Sequence, residues 1–266
     1  MRSAALHELR LFFIALQFFT RCPVPAWVGF EPAWLQQCAR HFPLVGLFVG
    51  SFTGLLLWAG LWIWPAPVAV GLAMAAGVWL TGGFHEDGWA DTCDGLGGAV
   101  DREKALAIMK DSRIGSYGAL GLVLMLGLKA ACLVALAQLS PLLAVMAGLW
   151  AHCASRAAPV WLMHSLRYAG DAAHAKAKPL ATQADALTLG VALGWVLLLS
   201  FAMTGLWPQL LPLLCAAALA AVAATLWLQR WFRRRLGGYT GDNLGACQQC
   251  VELAALLGLL ALRHVF

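Results

Sequence analysis

The chain has 266 residues, of which 61% are hydrophobic and only 12% charged, with a formal net charge of +5. That composition lies outside the range of soluble globular proteins and reads as all-α: a polytopic α-helical integral membrane protein, with one membrane domain over residues 1–266. The basic excess is a topology signal beside anionic lipid headgroups and implies no nucleic-acid partner; the scattered cysteines imply no disulfide framework.

The N-terminal run LRLFFIALQFF is too short to cross a bilayer core that needs about 20 apolar residues, and no small-residue cleavage site follows it. It predicts a short N-terminal interfacial or re-entrant helix. About seven transmembrane helices follow: Phe42 to Trp64, Ala66 to Phe84, Tyr117 to Leu139, Leu142 to His164, Leu187 to Trp207, Leu210 to Gln229 and Ala246 to Val265.

The turns near Pro65, Ser140 and Pro208 carry no Lys or Arg. The alternate connections hold Arg2, Arg10, Arg21 and Arg40; Arg102, Lys104, Lys110 and Arg113; Arg167, Lys176 and Lys178; and Arg230, Arg233, Arg234 and Arg235. Basic loops stay inside, so the N-terminus, the loop after the second span and the RWFRRRLGGYTGDN loop are expected in the cytoplasm. Trp58, Trp62, Trp64 and Trp207 gather at the opposite ends as an aromatic belt, and RYAGDAAHAKAKPLATQAD reads as a flexible loop that could act as a lid.

After the second span comes GGFHEDGWADTCDGLGG, Gly82 to Gly98. Of the chain's thirteen Asp and Glu residues, Glu86, Asp87, Asp91, Asp94, Asp101, Glu103 and Asp111 fall between the second and third spans. On a helix, Asp87, Asp91 and Asp94 stand at i, i+4 and i+7, on one face. Stacked carboxylates need a compensating cation or raised, coupled pKa values, and oxygen-only ligands suit Mg²⁺ together with phosphate oxygens. Gly88, Gly95, Gly97 and Gly98 are expected to leave room for a bulky polyanion, and His85 is a further candidate as metal ligand, proton carrier or positioning group. HEDGW lacks the second histidine of a zinc-protease helix, because Trp89 stands there, and GLGGAV completes no dinucleotide fingerprint.

Lys110, Asp111 and Arg113 sit at the next membrane edge, where the cations can neutralise a diphosphate. Asp242, in GGYTGDNLGA, is a further metal or substrate ligand or a turn and cap. Lys129, Arg156 and Glu252 fall inside spans, where ionisable groups pair or wall a polar cavity.

These segments resemble the cobalamin-5'-phosphate synthase (adenosylcobinamide-GDP ribazoletransferase) family: LQFFTRCPVP, FPLVGLFVG, TGGFHEDGWADTCDGLGG, DREKALAIMKDSRIGSYGALG and RRLGGYTGDNLGACQQCVEL occur in the family's order. Trp89 and Cys93 depart from it and leave every carboxylate in place. The resemblance implies a bacterial cytoplasmic (inner) membrane enzyme in which a ribose hydroxyl of α-ribazole, or of α-ribazole 5'-phosphate, attacks the cobinamide-linked phosphorus of adenosylcobinamide-GDP. GMP leaves, and Mg²⁺ assists. Under it, Asp87, Asp91 and Asp94 take the metal, Glu86 or His85 the hydroxyl proton, and Lys110 and Arg113 the phosphates. Oligomeric state stays open, a homo-oligomer included. Two alternatives stand beside this: a CDP-alcohol phosphotransferase, whose D-x-x-D-G start is matched by DTCDG but whose continuation is not, and a cation-coupled transporter.

Overall fold

The computed structural model describes residues 2–98, 100–170 and 182–263. They form helices α1 (Arg2–Phe19), α2 (Pro32–Gln37), α3 (Phe42–Leu61), α4 (Ala66–Thr81), α5 (Phe84–Leu96), α6 (Arg102–Lys110), α7 (Ser116–Leu139), α8 (Pro141–Ser155), α9 (Ala157–Ser165), α10 (Ala186–Leu206), α11 (Leu211–Leu236) and α12 (Gly241–Ala261), with short 3-10 turns between some of them. The one strand-like pairing among the described residues is a bridge between Tyr168 and Tyr239. The chain is thus an all-helical, multi-pass membrane protein, as expected. Residues 171–181 of the loop read as a lid, Lys176 and Lys178 among them, lie outside the described residues.

Among the described residues, five helical stretches are long and apolar enough to cross a membrane, and a sixth arises if the bent α4–α5 pair counts as one. The expected second span ends early, at Thr81, because Gly82 and Gly83 both take left-handed backbone (φ +70° and +72°), which only glycine adopts without strain. Two such residues in succession turn α5 by 89° from α4. The expected fourth span is interrupted at Arg156. Pro159 has no N–H to offer the Ser155 carbonyl, so the helix breaks one turn before it, leaving α8 and α9. At the other end of the sequence, α11 continues to Leu236, so the arginines read as a loop stand on its last turns.

α1 is longer than the apolar run suggested, and it is no free surface helix: Leu11, Ile14, Ala15, Leu16 and Phe19 are buried. Glu8 ties it to the start of α3 through Arg40 (3.0 Å) and His41 (2.9 Å).

Helix packing follows small residues. Gly46, Gly50 and Gly54 line one stripe of α3 against α8, the small-xxx-small pattern by which membrane helices approach closely. A Cβ at Gly50 would stand 3.1 Å from the Leu149 Cα, and one at Gly46 would overlap the His152 carbonyl. α5 meets α12 in the same manner: a Cβ at Gly88 would lie 2.8 Å from the Asp242 carbonyl oxygen and 3.3 Å from the Gly245 Cα.

Arginines stitch the end of the bundle that carries the basic connections. Arg235 donates to the carbonyls of Leu96 (2.8 Å) and Gly98 (2.9 Å), satisfying the C-terminus of α5, and Arg102 donates to that of Leu236 (2.8 Å). The apolar core divides into two clusters. Along α12, Ala246, Cys247 and Val251 belong to one and Ala255, Leu256 and Leu259 to the other, with Gln248, Gln249 and Glu252 at the changeover.

Overpacking the α3–α8 seam is expected to destabilise the fold. Gly46→Val should cost about 1–3 kcal/mol or more, whereas Gly190→Ala, inside α10 on an exposed face with open space around it, should leave the fold intact and stabilise it by up to about 1 kcal/mol; thermal unfolding in detergent micelles checks both.

Candidate active site

The acidic motif forms one continuous helix, so Asp87, Asp91 and Asp94 do share a face of α5. Glu86 and Asp87 occupy its first turn, where unpaired N–H groups favour anions. The motif's glycines serve a different end from the one expected. Gly88 seats α5 on α12, and Gly95 seats it on α6, where a Cβ would stand 3.0 Å from the Ala105 carbonyl oxygen. Gly98 lies beside the Tyr117 ring, 3.8 Å from a Cβ placed there. At Gly88, Gly95 and Gly97 a Cβ would meet neighbours at 3.0 Å or less, so these are filled contacts and not open space for a ligand, while Gly98 has only that ordinary contact.

Glu86, Asp87 and Asp91 line a cleft of about 590 Å³ at the α4–α5 bend, with Arg21, Thr20 and Ser112 among its polar walls and Phe18, Phe84, Ile114 and Leu122 among its apolar ones. Arg21 is the cation there. Its backbone N–H donates to the Leu80 carbonyl (2.9 Å) and its guanidinium lies over Trp79, 5.9 Å from the ring centre. Sequence reasoning counted Arg21 only among the topology charges; the TRCPVP stretch around it was the available signal.

Asp94 is held apart from this cleft. Its Oδ2 accepts from the Gly115 N–H and its Oδ1 from the Gly118 N–H, both at 2.7 Å, so it caps the start of α7. Arg113 and Asp111 form an exposed fork, with Nη2 to Oδ2 at 2.6 Å and Nε to Oδ1 at 3.1 Å. The hydrogen bonds and charge of the Asp111 carboxylate raise the Arg113 pKa above its ordinary value. Between them Ser112, and beyond them Ile114, reach the cleft wall, while Lys110 is exposed at the end of α6. Asp242 stands in the first turn of α12 with its backbone against Gly88.

Arg156 and Glu252 lie elsewhere, in an inner chamber of about 60 Å³ that His85, Glu86, Lys129, His152 and Gln249 also line. Lys129, Arg156 and Glu252 are only 3–5% exposed. Lys129 Nζ sits 2.7 Å from Glu252 Oε1 and donates to Gln249 Oε1 at 3.0 Å. His152 Nδ1 is 3.3 Å from both Glu252 Oε2 and Arg156 Nη1. One nitrogen cannot serve both; an Nδ1–H donated to the carboxylate leaves Arg156 its bond to the His152 carbonyl at 3.0 Å. Gln248 Nε2 donates to Ser155 Oγ (3.0 Å) and to Glu252 Oε2. The intramembrane charges are therefore both mutually paired and walls of a cavity. His85 stacks on Phe19 with ring centres 5.3 Å apart and faces this chamber alone, whereas Glu86 lines both cavities.

Among the described residues no three His, Cys, Asp or Glu side chains converge closely enough to cage a metal by themselves. The cleft does supply what a hard ion shared with a phosphorylated ligand requires, a few carboxylates from one side. Glu86 adds an anionic oxygen, Oε2, that is buried with no hydrogen-bond partner.

The described residues form a multi-pass helical membrane protein in which the acid-bearing helix α5 is bent 89° from the short apolar helix α4. The family described as cobalamin-5-phosphate synthase matches residues 11–260, and the chain belongs to it, as a transferase of cobalamin biosynthesis. A relative in Leptothrix cholodnii, named adenosylcobinamide-GDP ribazoletransferase, is 61% identical over 97% of this chain and 98% of its own length. Relatives of the same name in Shewanella frigidimarina and Albidiferax ferrireducens are each 45% identical, over 96% and 94% of this chain and 96% and 97% of their own. No solved structure matches the chain.

Removing one partner of the buried pair should harm the protein more than removing both. Glu252→Met alone should cost about 3–5 kcal/mol by stranding the Lys129 ammonium, and Lys129→Met with Glu252→Met should recover much of it; unfolding midpoints of the three proteins in detergent decide.

Proposed function

We propose that the protein transfers the phosphocobinamide group of adenosylcobinamide-GDP to α-ribazole or α-ribazole 5'-phosphate. A ribose hydroxyl oxygen bonds to the cobinamide-linked phosphorus, the bond from that phosphorus to the bridging oxygen breaks, and GMP departs with that oxygen. The names of the relatives support the substrates. The observation that carries the chemistry is the grouping of Glu86, Asp87 and Asp91 with Arg21 on one cleft.

Phosphoryl-group transfer depends on positioning and on charge neutralisation more than on covalent help from the protein. Asp87 and Asp91 would hold Mg²⁺ there with diphosphate oxygens and water, and the ion when bound supplies charge neutralisation. Asp94, committed to two amides, fixes α7 against α5. Glu86 is better placed than His85 to take the hydroxyl proton, since it alone of the two lines the cleft. Arg21 offers a guanidinium to the phosphates from the cleft wall, and Lys110 and Arg113, on the segment that brings Ser112 to the wall but not themselves among the lining, would act as more distant cations. Asp242 supports α5 from behind, and Arg156 and Glu252 belong to the inner chamber. The distribution of Lys and Arg supports a cytoplasmic N-terminus and cleft in a bacterial inner membrane, the side on which nucleotide substrates are met.

The test is GMP release by the purified protein in lipid, given adenosylcobinamide-GDP and α-ribazole, with and without Mg²⁺. Release should require both acceptor and metal, and Asp91→Asn should lower turnover by about two orders of magnitude, the scale of losing one electrostatic stabiliser. Wild-type turnover by Asp91→Asn at saturating Mg²⁺ would sink the metal assignment.

A further inference from the structure

We infer that Gln249 is a positioning residue for Glu86, held in its own orientation by Lys129. The inference rests on the reading of the cleft as the transferase site and adds to it a residue that carries no charge and touches no substrate.

Glu86 stands where the outer cleft and the inner chamber meet. Its Oε1 accepts a hydrogen bond from Gln249 Nε2 at 3.0 Å, and its Oε2 is buried without a partner. The helices that carry the two residues are locked together independently of this bond. Gly88 packs on Gly245, and Asn243 Nδ2 donates to Thr92 Oγ1 at 3.1 Å. The backbones of α5 and α12 are thus fixed, and the rotamer of Glu86 is left to its side-chain bond.

An amide can be turned either way, so its orientation needs a cause. Here the cause is Lys129, whose ammonium has only donors and is itself fixed by Glu252. It donates to Gln249 Oε1 at 3.0 Å, which commits the other end of the amide, an NH₂, to Glu86 Oε1 and to Gln248 Oε1 at 2.9 Å. Reversing the amide would set donor against donor at Lys129 and acceptor against carboxylate at Glu86. The sequence of contacts Glu252, Lys129, Gln249, Glu86 therefore has one polarity. It occupies Oε1 and leaves Oε2 as the Glu86 oxygen not engaged by the protein.

Gln249→Met keeps the length and volume of the side chain and removes the amide; Gln249→Leu serves as a second variant if that protein fails to fold. In lipid, with adenosylcobinamide-GDP and α-ribazole, Gln249→Met should lower kcat by about 10–100-fold, the usual cost of losing a group that orients a functional side chain, with KM little changed and a single cooperative unfolding transition whose midpoint falls, because Glu86 and Lys129 each lose a buried partner. Combined with Glu86→Gln it should cause no further loss, because both changes remove one device. Losses that multiply, or a wild-type kcat in Gln249→Met, would overturn the inference. A second readout needs no turnover: the infrared carboxylate band of Glu86, isolated as the difference between wild type and Glu86→Gln, should shift in Gln249→Met, and an unmoved band counts against the contact. Wild-type protein that released no GMP while this band shifted would remove the transferase reading and leave the positioning of Glu86 standing.

Discussion

The close approach of α5 to α12 is the contact on which the site depends. Glycine in a helix interior costs up to about 1 kcal/mol relative to alanine, and α5 carries one at Gly88 and α12 one at Gly245, where the two backbones meet. In return the acidic helix is laid directly on the helix that bears Gln248, Gln249 and Glu252. The buried bond from Asn243 to Thr92 fixes the register of the pair, and the capping box of Thr240 with Asn243 starts α12 at the same point, so one asparagine serves both the cap and the crossing. The bend at Gly82 and Gly83 supplies the other half of the geometry by laying α5 across the end of α4.

Buried charge sets the second constraint. Lys129 and Arg156 face Glu252 and Glu86 around the inner chamber, two formal positive charges against two negative, and desolvation makes any of them costly alone. The glutamines spread that charge without adding any. Gln248 joins Glu252 to Ser155 on α8, and Gln249 joins Lys129 on α7 to Glu86 on α5. The glycine stripe of α3 holds α8 in place, and with it His152 and Arg156. The chamber is in this sense a polar core inside a membrane bundle, and it meets the cleft at the two residues they share, Thr81 and Glu86.

Much of this could be read from the sequence. The apolar stretches gave the order and rough extent of most membrane helices but overcounted them, seven expected against five or six long and apolar enough among the described residues, and the spacing of Asp87, Asp91 and Asp94 gave their common face. Ionisable residues within spans pointed to Lys129, Arg156 and Glu252 because such groups are expensive in lipid. What stayed hidden depended on distant partners. Asp94 looks like its neighbours until Gly115 and Gly118, far along the chain, are found to donate to it. Gln248 and Gln249 are neutral and carry no signal of their own. The break at Arg156 was legible in principle from Pro159, as was the Gly46, Gly50, Gly54 stripe from its spacing, whereas the glycines of the acidic motif suggested room for a ligand because their packing partners on α6 and α12 were not in view.

The formal charges of the cleft bear on the proposed chemistry. Glu86, Asp87 and Asp91 against Arg21 give the lining three negative charges to one positive, a net of two negative. A diphosphate diester is itself anionic, so substrate and lining repel, and the exposed Arg113, already engaged by Asp111, screens this only weakly through water. Two anionic surfaces can share one site if a small divalent cation lies between them, with ligand oxygens completing a shell that the protein only begins. On this reading the absence of a closed protein cage among the described residues would suit a cation held jointly with ligand oxygens. The cleft is acidic enough to favour a cation and too open to satisfy one alone, so metal and diphosphate would each strengthen the binding of the other.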